Sequence, residues 1–124
     1  MNRHMTYLAC PYSHDDPLVR EYRFNMSVIA SCKLIQQNEL VFSPIAHCHH
    51  ISKVGELPKD WQYWEEFDTR MISVCDSVTI LDIEGLKESQ GVQEEIKLAI
   101  KLNKKLRTMS TIDWKPTVIY SNIW

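Results

Sequence analysis

Two acidic side chains fall where a helical pattern should be apolar. In the stretch from Trp61 to Cys75, a helical wheel puts Trp61, Trp64, Phe67, Met71, Val74 and Cys75 on one face, and Asp68 lies between Trp64 and Ile72 inside that sector. In the run that opens with Ser89-Gln-Gly-Val-Gln-Glu-Glu95, Val92, Ile96, Ala99, Ile100 and Leu102 share one side, and Glu95 falls within their arc. Glu65, Glu66 and Glu94 sit on the solvated faces, where charges belong. A carboxylate aimed at a core must find partners, become neutral or line a cleft, because burying it charged and unpaired is too costly. Two carboxyls in unlike environments can divide labour at neutral pH: one stays ionised near a helix N-terminus, and the other is raised by apolar neighbours such as Trp64. Glycosyl transfer and hydrolysis use such a pair. For Glu95 the wheel leaves a second reading open, a place at the edge of the arc favoured by the positive helix N-terminus.

The other cluster with chemical potential is His47-Cys-His-His50, with His14 elsewhere. Zinc sites combine closely spaced ligands with a second distant pair, and no such pair is present, so no metal is assigned. A histidine-rich loop then reads as surface or as a substrate wall. Cys10, Cys32, Cys48 and Cys75 form no C-x-x-C pair, which suits free thiols in a reducing compartment.

These residues need a scaffold, and its elements can be read in order. Met5 to Cys10 is a buried strand stopped by Pro11 and a polar turn; Pro17 opens a helix to about Gln37 whose apolar residues spread widely, as if covered on more than one side. Leu40 to Ser43 is a short strand. The segment from Ala46 to Pro58 shows no period and reads as a long connection. After the helix from Trp61 to about Cys75, Val78 to Ile83 is a third strand, followed by the helix that Ser89 caps; Leu106 to Met109 and Val118 to Tyr120 are weaker strands. The order βαβαβαββ predicts a mostly parallel α/β sheet of about five strands with helices on both faces. The turn after Cys10, the loop after Ser43 and the Ser89 helix start would then share one rim, where such sheets bind ligands.

Composition limits the partners. A chain of 124 residues, 44% hydrophobic and 24% charged, predicts one globular domain over residues 1–124. A net charge of -2 offers no footprint for nucleic acid, and no apolar run spans a membrane or forms a leader, so the expectation is a cytoplasmic protein with a small-molecule partner.

With these motifs in place, the sequence resembles the nucleoside 2-deoxyribosyltransferase-like superfamily, within a small branch found in phage and bacterial genomes and related to deoxynucleoside 5′-monophosphate N-glycosidases. The resemblance runs through Tyr7-Leu-Ala-Cys-Pro-Tyr12, Val41-Phe-Ser-Pro44 with its histidines, Leu57-Pro58, Trp64, Asp68 with Asp76, and Ser89-x-Gly91-Val-x-x-Glu95 with Ala99. It implies a flavodoxin-like three-layer α/β sandwich. It implies that Glu95 attacks C1′ of the sugar, that Asp68 gives a proton to the departing base, and that Tyr7 orients the glutamate. It implies no cofactor, and a homo-oligomer whose subunits share active sites, with Tyr120 to Trp124 as a candidate contact. Pro11, Tyr12, Ser13, Gly91, Arg23 and His47 join Ser89 as candidate substrate-binding residues.

Ser89 stands where the transferases carry Asp and the monophosphate glycosidases carry Ser. A hydroxyl and free helix amides accept a phosphate that an aspartate would repel, though the same serine serves equally as a plain N-cap. Cys10 replaces the usual Gly, and Pro11-Tyr-Ser-His14 replaces a phosphate loop bearing serine and arginine, leaving Arg20 or Arg23 to supply positive charge. The expected function is cleavage or exchange of the N-glycosidic bond of a 2′-deoxynucleoside or its 5′-monophosphate. The alternatives are a non-catalytic nucleotide-binding module of the same fold and a His-loop metal-binding protein.

Overall fold

A computed structural model describes residues 3–121. Five strands form one sheet in the order β2-β1-β3-β4-β5: β1 (Met5–Ala9), β2 (Leu40–Phe42), β3 (Ser77–Asp82), β4 (Lys105–Ser110) and β5 (Pro116–Tyr120). All neighbours are parallel except β4 and β5. The helices are α1 (Pro17–Gln36), α2 (Pro44–Gly55), α3 (Trp61–Val74) and α4 (Gln90–Lys101).

Strand alternation divides the core in two. Tyr7 and Ala9 of β1, with Val78 and Ile80 of β3, pack under Ile72 and Cys75 of the α3 end and Val92 and Ala99 of α4. Leu8, Cys10 and Leu81 point the other way, onto Ala30 and Leu34 of α1, and α2 packs beside α1 on that face. The result is the α/β arrangement with helices on both faces that the strand and helix order predicts, and the flavodoxin-like three-layer sandwich that the resemblance implies. Fully buried side chains such as Leu8, Leu34, Ile72 and Leu81 contribute roughly 1.5–3 kcal/mol each.

Every helix start is capped by a side chain. Asp16, Ser43, Asp60 and Ser89 accept from the backbone N–H of Leu18, Ala46, Tyr63 and Val92. The Ser43-Pro44 start corrects the sequence expectation of a long loop, since residues 44–55 are helical. The pattern hides this helix because its inward residues include His49 and Ser52 instead of an apolar stripe.

Two further expectations change. Helix α1 is covered on one side only, by the face carrying Arg23, Ser27, Ala30 and Leu34, while Leu18, Tyr22, Ile29 and Ile35 are exposed. In α3 the inward line is Asp68 and Ile72, with Phe67 and Val74 turned outward. Of the C-terminal segment expected to form contacts, Asn122 to Trp124 lie outside the described residues, and Tyr120 packs against the core on the α3 and α4 side.

Candidate active site

The carboxyl ends of the strands and the starts of three helices enclose a cavity of about 280 Å³. This is close to the lower end of the roughly 300–1,000 Å³ typical of small-molecule sites. The turn after β1 contributes Cys10, Tyr12 and Ser13; α2 contributes Pro44, Cys48 and His49. The approach to α3 and its first turns add Lys59, Trp61, Trp64 and Asp68, and the start of α4 adds Ser89, Gly91 and Glu95.

The two misplaced acids meet in this cavity. Val92, Glu95 and Ala99 form the buried line of α4, so Glu95 is central and only 5% exposed. The edge-of-arc reading therefore gives way. Asp68 is 8% exposed on the facing helix, since α3 and α4 pack side by side. Behind Glu95, fully buried Tyr7 donates its hydroxyl hydrogen to Oε2 of the carboxyl. Burial, reinforced by both acids, holds the phenol well above its usual pKa, so it keeps its proton.

Both carboxyls are pushed up. Burial raises Asp68 to about 6, opposed by hydrogen bonding to Tyr7. Burial first and the Asp68 charge second raise Glu95 to about 8, again opposed by the Tyr7 hydrogen bond. Helix N-termini around the cavity favour negative charge, yet desolvation and like-charge repulsion prevail. At neutral pH the pair therefore keeps a proton that two free carboxyls would have lost.

The remaining candidates separate into two groups. Tyr12, Ser13, Ser89 and Gly91 line the cavity. Pro11, Arg23 and His47 do not: Pro11 is buried behind the turn, and His47 is exposed, stacked on Phe67 and tilted against Phe42. Arg23 is a tie between loops, donating to the carbonyls of Ser13 at 3.0 Å and Glu84 at 3.4 Å. Gly85, at φ 95°, makes room for it, and a β-carbon there would collide with the guanidinium.

Sequence reading missed His49. Once Ser43-Pro44 is read as a helix start, residues two apart diverge by about 200°, which turns His49 inward when His47 points out. The histidines are thus engaged separately: His49 with Tyr12 and Glu21, His47 with Phe67, His50 against Phe24. Among the described residues no three His, Cys, Asp or Glu side chains are grouped to hold a metal ion.

This flavodoxin-like α/β fold is shared with a known enzyme. The structure is similar to that of 2-deoxyribosyltransferase from Bacillus psychrosaccharolyticus, with a TM-score of 0.58 over 86% of this chain and 72% of that one, at 18% identity. At that identity the likeness is one of fold. Over residues 4–111 the sequence matches the family described as a domain of unknown function (DUF1937), and the chain belongs to that family. No curated protein sequence matches it. No helix among the described residues is long and apolar enough to cross a membrane.

Proposed function

We propose that this protein cleaves or exchanges the N-glycosidic bond of a 2′-deoxynucleoside or its 5′-monophosphate, with Glu95 as nucleophile and Asp68 as proton donor. One observation carries the reading: two buried carboxyls from separate helices line one small cavity, and a buried phenol donates to one of them. The fold shared with a 2-deoxyribosyltransferase supports it.

The single proton of the pair accounts for the chemistry. In the reactive form Asp68 holds that proton beside the base and Glu95 is the carboxylate. The Glu95 carboxylate bonds to C1′ as the C1′–N bond breaks, the bonding electrons stay on the base nitrogen, and the Asp68 proton joins them. Water, or the N–H of a second base, then attacks C1′ and returns a proton to the pair as the ester opens. Tyr7 steadies the carboxylate through its hydrogen bond. Ser89 and the first amides of α4 accept the 5′ end, and Lys59 is a cation on the cavity wall. No cofactor takes part in this scheme.

The homo-oligomer expected of this superfamily has an apolar surface available on α1, through Leu18, Tyr22 and Ile29.

Free-base release from a panel of deoxynucleosides and their 5′-monophosphates, followed by chromatography for wild type and Glu95→Ala, tests the reading. Release that falls by about a thousandfold or more in the variant supports a glutamate nucleophile. Release only when a second base is supplied identifies a transferase. No release under any condition, with nucleotides still bound, would give the protein over to the binding-module alternative.

A further inference from the structure

The cavity wall holds a buried hydrogen-bonded chain that the scheme above leaves idle. His49, 3% exposed on α2, places Nε2 at 2.8 Å from Oε2 of Glu21 on α1 and Nδ1 at 2.7 Å from the Tyr12 hydroxyl. Phe24 stacks on the imidazole at 4.1 Å and 15°, and the Tyr12 ring meets it edge-on at 87°. The ring cannot turn without losing both hydrogen bonds. Its hydrogen bond to His49 holds the half-exposed Glu21 carboxyl below its ordinary pKa, so Glu21 is ionised and can only accept. Nε2 therefore carries the hydrogen. In the neutral imidazole Nδ1 is then a lone pair, and Tyr12 must donate to it. In that form the only hydrogen of the phenol is used, and its oxygen is left as an acceptor on a residue of the cavity wall.

The position of Tyr12 identifies what it meets. The Ser13 hydroxyl donates to the Lys59 carbonyl at 3.2 Å, joining the Tyr12 turn to the approach of α3. That helix carries Trp61 and Trp64 on the cavity wall, and also Asp68, which protonates the departing base. Aromatic faces and the proton donor mark the base end of the cavity, and the Ser13 bond ties the Tyr12 turn, which carries no arginine for a phosphate, to that end.

We propose that Tyr12, with His49 and Glu21 as positioning residues, selects bases that present an amino group over bases that present a carbonyl at the same place, adenine over hypoxanthine and cytosine over uracil. An amino N–H satisfies the phenol oxygen. A carbonyl sets two acceptors against each other and leaves both unpaired. The proposal rests on the N-glycosidic reading for the identity of the ligand, and binding of free bases separates the two.

Calorimetric titration with free adenine, purine and hypoxanthine, for wild type, Tyr12→Phe and Glu21→Ala, provides the test. Wild type is expected to bind adenine about tenfold more tightly than hypoxanthine, with purine between, and Tyr12→Phe to bring the three within about twofold. Glu21→Ala, a change of a half-exposed residue, is expected to reduce the ratio part-way, because Nδ1 can then carry the hydrogen and turn Tyr12 into a donor. A general loosening of the wall would weaken all three ligands and leave their ratio unmoved. Equal binding by wild type, a preference that survives Tyr12→Phe, or no binding of any base would overturn the proposal. Base release from 2′-deoxyadenosine and 2′-deoxyinosine at equal efficiency would overturn it while the glycosidic reading stands. A binding preference without release from any substrate would uphold it and sink the glycosidic reading.

Discussion

Thr6 and Tyr7 are neighbours in β1, point to opposite faces of the sheet, and join two buried polar groups built on opposite plans. Toward the amino ends of the strands, on the α1 face, a chain of hydrogen bonds runs from His4 through Ser77, Thr6 and Thr79 to Arg107. It ends in a bidentate pair between Arg107 and Glu39, at 2.6 and 3.0 Å. On the other face, toward the carboxyl ends, Tyr7 serves two acids, neither of which has a salt bridge among the described residues. The first group matches each charge with its opposite and has a structural role. The second sets like charges together and holds both carboxyls above their ordinary range. Both are buried, so the sign of the neighbour, and not burial, separates a scaffold pair from a candidate catalytic one.

Breaking each plan should therefore move stability in opposite directions. Arg107→Met strands the Glu39 carboxylate and is expected to cost about 3–5 kcal/mol in urea denaturation, with most of it recovered when Glu39→Gln is added. At the acid pair, removal of a charge relieves the fold. Folded-state values of about 8 for Glu95 and about 6 for Asp68 lie above the ordinary 4.5 and 3.8, so the folded protein holds protons that the unfolded chain would release. Their contribution to stability is present below about pH 4 and is lost as pH rises through about 8, a decline on the order of a few kcal/mol. Glu95→Gln and Asp68→Asn should each flatten that decline and exceed wild type in stability at pH 8; variants that parallel wild type at every pH would contradict it.

The same pair predicts a bell-shaped rate profile bounded near pH 6 and 8, where one proton is held. The Tyr7 hydrogen bond lowers both acids, so Tyr7→Phe should shift the bell to higher pH and reduce base release at pH 7 by about ten- to a hundredfold. Ser89→Ala has the smallest expected effect, ~1 kcal/mol of helix stability by thermal denaturation, from the lost cap on the N–H of Val92.

The acid pair was legible because a carboxylate among Val92, Ala99 and Trp64 contradicts a simple amphipathic period. The paired group was hidden. Thr6, Ser77, Thr79 and Arg107 come from three strands, and only register brings them into a row. Helix α2 escaped for a related reason, since its inward face carries His49 and Ser52, chosen for the cavity instead of a core. Its start was written plainly in Ser43-Pro44. Arg23 read as free positive charge because sequence does not reveal which carbonyls a guanidinium will meet. His47 could not be told from His49 while the helix was read as a loop, where no face can be distinguished.

The Arg23 tie also bears on motion. A single guanidinium fastens the turn after β1 to the loop after β3, and these two segments carry Tyr12 and Ser89 of the cavity wall. Loops on separate crossovers would otherwise fluctuate independently. Joined at one point, they should open as one unit, with their amide hydrogens exchanging at a common rate. Arg23→Met or Gly85→Ala should split that rate into two, so that access to the cavity is governed by a residue that does not line it.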